Sequence, residues 1–258
     1  MRATYAQRGA LSSGGGGLTA RRAFATPQRM STPLPQARVE VRRLGREDQP
    51  LVVIDDFSGQ LAELRTAGAA ARYAPAGAYY PGLRAPADPA YLDVRRDLLV
   101  EVMHRVFGLQ RSLRCETSAF SLVTLAPDAL SPDQRVPHHD HGGPGLIALM
   151  HYLCGPESGG TAFYRHRRTG FEAITPERMP AFTSALEEDA REYGPPPSHY
   201  CHGDSEAYEM LDEVEARPDR LILYRGQTLH SGVIPDPAML SDDPARGRLT
   251  INMFFQGN

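Results

Sequence analysis

The chain has 258 residues, of which 41% are hydrophobic, and this is enough for one large domain or two small ones with a packed core. Its formal net charge of −3 gives no electrostatic case for binding nucleic acid or an anionic membrane. All 28 basic residues are arginines, which excludes chemistry that requires a lysine, such as Schiff-base formation or a P-loop.

The cysteines and the N-terminal segment set the expected compartment and domain bounds. The 3 cysteines form no CxxC pair, so we expect neither a disulfide framework nor a thiolate zinc site. Without disulfides, the expected location is the cytoplasm. No stretch is apolar enough for a membrane helix. Residues 1–29 are rich in arginine and glycine and contain no acid. We expect residues 1–37 to be a disordered basic tail and residues 38–258 to form the folded domain.

The first elements of the folded domain follow from periodicity. Two strands are expected at "ARVEVRR" and "PLVVIDDF", and a serine-capped helix at "SGQLAELRTAGAAA". Residues 74–92 contain too many prolines for a regular element and predict a loop, whose tyrosines and Arg84 either pack or face a pocket. From Asp93 to Phe107 the apolar residues follow the stripe of an amphipathic helix, closed by Gly108.

Short apolar strands dominate the rest of the chain. Five segments rich in β-branched and aromatic residues predict a β-sandwich or barrel with helices packed on one sheet: "ETSAFSLVTLAP", "GLIALMHYLC", "GTAFYRH", "RLILYRG" and "RLTINMFFQ". Residues 165–218 break this rhythm with 12 acids, 6 arginines and two helix-like stretches, "ERMPAFTSALEEDAREYG" and "SEAYEMLDEVEA". We expect an acidic insertion there that folds as a lid over the mouth of the barrel or sandwich.

The octapeptide "VPHHDHGG", residues 136–143, has the composition of a metal site. In an extended segment, side chains two residues apart point to the same side, so His138 and Asp140 can hold one ion while His139 points away. His139 and His141 are the competing pair.

A third ligand must come from a distant strand. The candidates are His151, His166, His199, His202 and His230. His230 is best placed, because it follows an apolar strand and a turn. His151 lies inside an apolar strand and fits a role in the core or in orienting a ligand.

Two histidines and one carboxylate suit Fe(II) oxygen chemistry, although zinc binds the same set. Arg248 and Thr250 alternate on the strand after His230 and can face the same interior. An arginine beside a hydroxyl can bind the far carboxylate of a dicarboxylate co-substrate, which favours iron; the alternative for Arg248 is an exposed position on an edge strand.

Four segments resemble the prolyl-hydroxylase-like 2-oxoglutarate/Fe(II) dioxygenases. "PHHD" is similar to their PHxD motif, "ALMHYLCGPESGGTAFY" to a strand pair, "LHSGVIP" to the distal histidine segment, and "GRLTINMFF" to the closing strand. The segments occur in family order over residues 115–258. "YYPGLRAP" and "GGTAFYRHRRTGFE" are similar to an uncharacterised bacterial group of this superfamily, known as a domain of unknown function.

The resemblance implies a fold and a cofactor set. The expected fold is mainly β with flanking helices (α+β), a double-stranded β-helix (jelly-roll or cupin-like) with a helical lid insertion. The implied iron ligands are His138, Asp140 and His230, and the implied cofactors are Fe(II), 2-oxoglutarate and O2.

The resemblance also implies how the co-substrate is held. Arg248 and Thr250 would bind the carboxylate of 2-oxoglutarate, with Tyr152 beside them. The spacing from His230 to Arg248 is longer than usual, so Arg246 is a rival for the carboxylate.

The expected activity is hydroxylation of a small metabolite, amino acid or peptide, with release of succinate and CO2. Arg84, Tyr164, Arg165 and Arg168 are the candidate substrate contacts. Two alternatives stay open: a metal-dependent cupin isomerase or hydrolase that uses His139 and His141, and a non-catalytic β-barrel binding protein. The sequence indicates no oligomeric state.

Overall fold

A computed structural model describes residues 34–110, 113–140, 143 and 145–257. Most of the predicted tail, residues 1–33, and His141 of the competing ligand pair lie outside the described residues. No helix in the described ranges is long and apolar enough to cross a membrane.

Two antiparallel sheets and three α-helices make up the described part of the domain. The helices are α1 (Leu61–Ala70), α2 (Arg96–Arg105) and α3 (Met179–Tyr193). The strands are β1 (Arg38–Leu44), β2 (Gln49–Asp55), β3 (Ala74–Pro75), β4 (Gly82–Pro86), β5 (Arg114–Val123), β6 (Leu146–Tyr152), β7 (Gly160–His166), β8 (Tyr208–Glu215), β9 (Arg220–Arg225), β10 (His230–Val233) and β11 (Leu249–Gln256).

The strand order is that of a double-stranded β-helix. The larger sheet has the order β1-β2-β9-β6-β11-β5-β4-β3, and the smaller one has the order β10-β7-β8. A single antiparallel bridge between His138 and His230 places the His138 segment beside β10. From β5 to β11 the chain therefore passes repeatedly between the two sheets, which is the jelly-roll arrangement that the sequence predicted.

Alternation along the strands assigns the two faces of the larger sheet. On β6, Ile147 and Leu149 join the core beneath α1 and α2, whereas Ala148 and Tyr152 join the core between the sheets. Successive side chains of a strand point to opposite faces, so polar residues in phase with Tyr152 point into the space between the sheets. The alternation along each strand therefore decides which of its side chains can reach a site between the sheets.

Several sequence predictions are confirmed. Strands form at each of the first two predicted segments and at the five later ones. α2 ends at Arg105, and Gly108, with a positive φ of 72°, closes the turn that follows by donating its amide to the carbonyl of His104. The helix expected at "ERMPAFTSALEEDAREYG" is α3.

The second helix expected in the insertion is wrong. "SEAYEMLDEVEA" contains β8, which pairs with β7 along its whole length. Its glutamates, leucine and methionine favour a helix in isolation. In the fold its acids find partners on other elements: Glu209 pairs with Arg165, and Asp212 with Arg42. Residues 165–166 and 208–215 thus belong to the smaller sheet, and residues 167–207 connect its strands.

Two local predictions near the N-terminus are also wrong. The predicted loop 74–92 contains β3 and β4, because the backbone of residues 82–86 pairs with β5 despite the surrounding prolines. Ser58 does not cap α1, whose N-cap residue is Gln60. The Ser58 hydroxyl donates instead to the carboxylate of Asp219, at 2.6 Å.

Candidate metal centre

The backbone brings the three predicted ligand side chains to one place between the sheets. His138 and His230 exchange two backbone hydrogen bonds, of 2.9 and 2.8 Å. The amide of Asp140 donates to the carbonyl of Gly226, at 2.7 Å. A Cβ on Gly226 would lie 3.3 Å from the Cβ of Asp140, so a glycine allows this close approach. His138 and Asp140 then project to the same side, toward His230.

The ligand atoms of His138, Asp140 and His230 all lie within 4.8 Å of one another. Asp140 Oδ2 is 3.7 Å from His230 Nε2, and the two imidazole rings have centroids 4.4 Å apart. Two ligands at 90° on an ion with bonds of about 2.1 Å would be about 3 Å apart. The three side chains are thus within a small rotamer adjustment of holding one ion.

A backbone carbonyl fixes the orientation of the His230 ring. Its Nδ1 lies 2.8 Å from the carbonyl oxygen of Thr228, which can only accept, so Nδ1 carries the proton and Nε2 offers its lone pair to the cavity. The rings of Tyr224 and Phe163 pack against the imidazole, with centroids 4.7 and 6.5 Å away.

Both imidazoles are neutral near pH 7. Desolvation and, to a smaller extent, the nearby His230 lower the pKa of His138 to about 3, while Asp140 opposes the change. Desolvation lowers the pKa of His230 to about 4, against the hydrogen bond to Thr228. His138 remains accessible from the cavity even though protein atoms surround it. Neutral imidazoles are the form that binds metals.

The three ligands lie in a cavity of about 520 Å³. This is within the usual range for small-molecule sites. Aromatic and aliphatic side chains form most of its wall. The insertion contributes Phe182 and Leu186 from α3, and Tyr200. The predicted lid segment therefore does form part of the cavity wall.

Arg248 lies in this cavity and Arg246 does not. Arg248 is only 4% exposed, donates to the carbonyl of Gly160 at 2.7 Å, and lies 5.6 Å from the centroid of the Tyr152 ring. Its Nε is buried with no hydrogen-bond partner among the described residues. Arg246 is exposed. Of the two rivals, Arg248 is the one positioned to bind an anion inside the cavity.

Thr250 and Tyr152 lie beside Arg248 and already have hydrogen-bond partners. The two residues are opposite each other on β11 and β6, so both point between the sheets. The Thr250 hydroxyl lies 2.8 Å from Asn252 Oδ1, and the Tyr152 hydroxyl 2.6 Å from Thr161 Oγ1. The Thr250 hydroxyl directs its proton to Asn252, whereas either hydroxyl of the Tyr152–Thr161 pair can be the donor.

Of the four candidate substrate contacts, only Arg84 reaches the cavity. Tyr164 is on the opposite face of β7 from Phe163 and packs in the core beneath α3. Arg165 is held by Glu172 and Glu209, and Arg168 by Asp189 and Glu192. These salt bridges explain why the basic cluster "RHRR" does not face the site.

The remaining histidines have other partners. His151 faces the helix side of β6, where its Nε2 is 2.9 Å from Asp219 and its Nδ1 is 3.1 Å from the Tyr91 hydroxyl. His166 is buried against Asp189, and His202 pairs with Glu213 at the surface. His139 lines the cavity, with its ring 6.3 Å from that of Phe182, but it is not in the ligand cluster.

Sequence reasoning missed several residues of the cavity. Asn252 is two positions after Thr250 on β11, so the same alternation that selected Thr250 would have found it. Phe182, Leu186 and Tyr200 carry no signal in the sequence, because only the path of the insertion brings them to the cavity.

Comparisons with solved structures return distant likenesses. SnoN, a non-heme α-ketoglutarate-dependent epimerase from nogalamycin biosynthesis, has a TM-score of 0.44 and 15% identity over 80% of this chain and 78% of its own. HygX from Streptomyces hygroscopicus, with nickel, 2-oxoglutarate and hygromycin B bound, has a TM-score of 0.43 and 14% identity over 84% and 88%. The carbocyclase SnoK from nogalamycin biosynthesis has a TM-score of 0.43 and 12% identity over 82% and 81%.

No curated protein matches the chain. A family model does match, and it covers residues 35–255, which is nearly all of the described domain. The chain therefore belongs to the family of unknown function DUF6445.

Proposed function

We propose that the protein is an Fe(II)- and 2-oxoglutarate-dependent oxygenase of the prolyl-hydroxylase-like superfamily. The observation that carries this proposal is the presence, in one cavity, of a cluster of two histidines and one aspartate together with a buried arginine that has no carboxylate partner among the described residues.

The ligand cluster suits ferrous iron. His138, Asp140 and His230 supply two neutral nitrogens and one carboxylate oxygen, which would leave further coordination positions for a co-substrate. The hydrogen bond from His230 to Thr228 orients one ligand before any ion binds. These three side chains would hold the ion.

Arg248 suits the distal carboxylate of 2-oxoglutarate. Its Nε is a buried donor with no described acceptor, so a carboxylate would complete its hydrogen bonding and balance its charge. Thr250 and Tyr152 would lie next to the same end of the co-substrate. When bound together, Fe(II), 2-oxoglutarate and O2 supply an oxidant for an unactivated C–H bond, with release of succinate and CO2.

The protein's own part is to position the reactants and exclude water. Tyr224 and Phe163 hold the His230 ring by packing. The aromatic and aliphatic walls lower the local dielectric constant and limit competing reactions of the oxidant with solvent. We propose a small molecule, amino acid or peptide as substrate, because the cavity volume of about 520 Å³ is that of a small-ligand site.

A zinc-dependent isomerase or hydrolase is the second candidate, since zinc also binds two histidines and one carboxylate. Arg248 favours the oxygenase, because a buried guanidinium in the same cavity matches the distal carboxylate of 2-oxoglutarate. The cupin variant with His139 and His141 stays a prediction, because His141 lies outside the described residues.

The test is an anaerobic titration of the purified protein with Fe(II) and then with 2-oxoglutarate. We expect one iron per chain, a visible charge-transfer band when 2-oxoglutarate is added, and slow formation of succinate once O2 is admitted. Asp140→Asn should lose the band, and the surface control His202→Gln should retain it. Tight binding of zinc with no band and no succinate would favour the hydrolase; no metal binding would favour a non-catalytic binding protein.

A further inference from the structure

The cavity contains a second arginine, on the side formed by β4. Arg84 is opposite Ser121 of β5, which is opposite Thr250 of β11. Residues directly opposite in an antiparallel sheet point to the same face, so Arg84 shares the interior face with the predicted co-substrate contact. Arg84 and Arg248 both line the cavity.

Arg84 has no anionic partner among the described residues. Its guanidinium carbon lies 4.2 Å from the centroid of the Tyr80 ring, and its Nε is buried with no hydrogen-bond partner in the described ranges. By contrast, Arg165 and Arg220 are bound by carboxylates. A flat guanidinium stacked on a ring keeps its N–H edge available, which is the geometry that a bidentate anion requires.

The cavity that Arg84 lines is rich in aromatic side chains. Tyr79, Tyr80, Tyr200 and Phe182 all line the cavity. The acids in its wall are Asp140, which belongs to the ligand cluster, and Asp133, which is exposed. A ligand in this space would meet one positive charge from Arg84 and a surface suited to a ring or an alkyl chain.

A single guanidinium favours a singly charged anion. A carboxylate carries one negative charge and matches the two parallel N–H donors of an arginine, whereas a phosphate monoester carries nearly two charges and would remain under-neutralised. We propose, given the oxygenase function proposed above, that Arg84 binds the carboxylate of the substrate and that the substrate is an aromatic or similarly apolar carboxylic acid.

The test compares two probes that share one phenylalkyl group and differ in the terminal group, the carboxylate of 3-phenylpropionate and the neutral amide of 3-phenylpropionamide. Their binding is measured by calorimetry to the protein loaded with Zn(II), as an inert replacement for iron, and 2-oxoglutarate. The acid should bind the wild type at least about tenfold more tightly than the amide. Arg84→Gln should remove that preference without weakening the amide. Arg246→Gln, which changes an exposed arginine outside the cavity, should retain the preference.

Arg84→Lys serves as a second variant, which keeps the charge and should keep part of the preference. The same titrations report the affinity for 2-oxoglutarate, which Arg84→Gln should leave unchanged. The proposal is overturned if neither probe binds or if the wild type binds both with equal affinity. It is also overturned if a phosphate monoester with the same phenylalkyl group binds more tightly than the acid, or if Arg84→Gln lowers the affinity for 2-oxoglutarate instead. If metal and 2-oxoglutarate fail to bind but the Arg84-dependent preference persists, the oxygenase proposal fails while the carboxylate site stands.

Discussion

Replacing Arg248 by methionine should separate co-substrate binding from folding. Arg248 is buried, has one backbone acceptor in Gly160 at 2.7 Å, and has no carboxylate partner among the described residues. Burial of a guanidinium without a counter-charge is costly, and relief of that cost offsets the lost hydrogen bond of about 1 kcal/mol. We therefore expect Arg248→Met to change the free energy of unfolding by less than about 1 kcal/mol.

The same change should greatly weaken 2-oxoglutarate. A charge-assisted contact to a carboxylate contributes about 1.5–3 kcal/mol, which corresponds to a loss of affinity of about 10- to 150-fold. Metal affinity should not change, since the three ligand side chains remain.

Arg220→Met is the matched control. Arg220 is similarly buried but donates to both oxygens of Asp55, at 2.6 and 3.0 Å. Removing it leaves Asp55 without its main partner, so we expect a loss of about 2–4 kcal/mol in unfolding free energy with little change in 2-oxoglutarate affinity.

Urea unfolding of the metal-free proteins and calorimetry with Zn(II) and 2-oxoglutarate measure the two quantities separately. The reasoning is refuted if Arg248→Met costs as much stability as Arg220→Met while 2-oxoglutarate affinity is retained. That outcome would make Arg248 a structural residue.

Three further changes test the packing around the site. Burial alone would raise the pKa of Asp219, but hydrogen bonds lower it from 3.8 to about 2, so its stabilising effect is complete above pH 3.8 and is lost as the pH falls toward 2. Asp219→Asn should cost about 2 kcal/mol at pH 7, and the difference in urea unfolding from the wild type should vanish near pH 2; an equal difference at both pH values would contradict this. Glu172→Gln removes a buried partner of Arg165 and should lower the unfolding free energy by about 2 kcal/mol without altering 2-oxoglutarate affinity in calorimetry. A reduced affinity would indicate that Arg165 contributes to the binding site after all. Gly82→Ala would place a Cβ 1.9 Å from the carbonyl oxygen of Leu122, so it should displace β4 and cost at least about 2 kcal/mol, as a thermal melt would show; an unchanged melting temperature would mean that β4 is held loosely.

The ligand cluster could be predicted because each part of it is local in sequence. His138 and Asp140 are two residues apart in an extended segment, and His230 begins a strand after an apolar run and a turn. Alternation on β11 likewise placed Arg248 and Thr250 on one face. A period of two along a strand is enough to predict that two side chains share one face of the sheet. It does not predict how far those side chains lie from residues on other strands.

The errors concern residues whose partners are remote in sequence. β8 contains good helix formers, but pairing with β7 and salt bridges to Arg42 and Arg165 decide its conformation. Arg165 and Arg168 were expected at the cavity because they cluster in sequence. Acids from the connecting segment and β8 bind them, and no local pattern predicts that pairing.

Arg84 shows the opposite case. Its segment was expected to be a loop, with the arginine either packing or facing a pocket. Pairing of β4 with β5 places it opposite Ser121 and therefore inside the cavity. The register of a short strand among prolines cannot be read from composition, so the position of Arg84 required the structure.

The most direct test of the central claim is a crystal structure of the protein soaked anaerobically with Fe(II) and 2-oxoglutarate. We expect one iron bonded to the side chains of His138, Asp140 and His230, with a carboxylate of 2-oxoglutarate on Arg248. Iron bound elsewhere, or bound without His230, would contradict the proposed function.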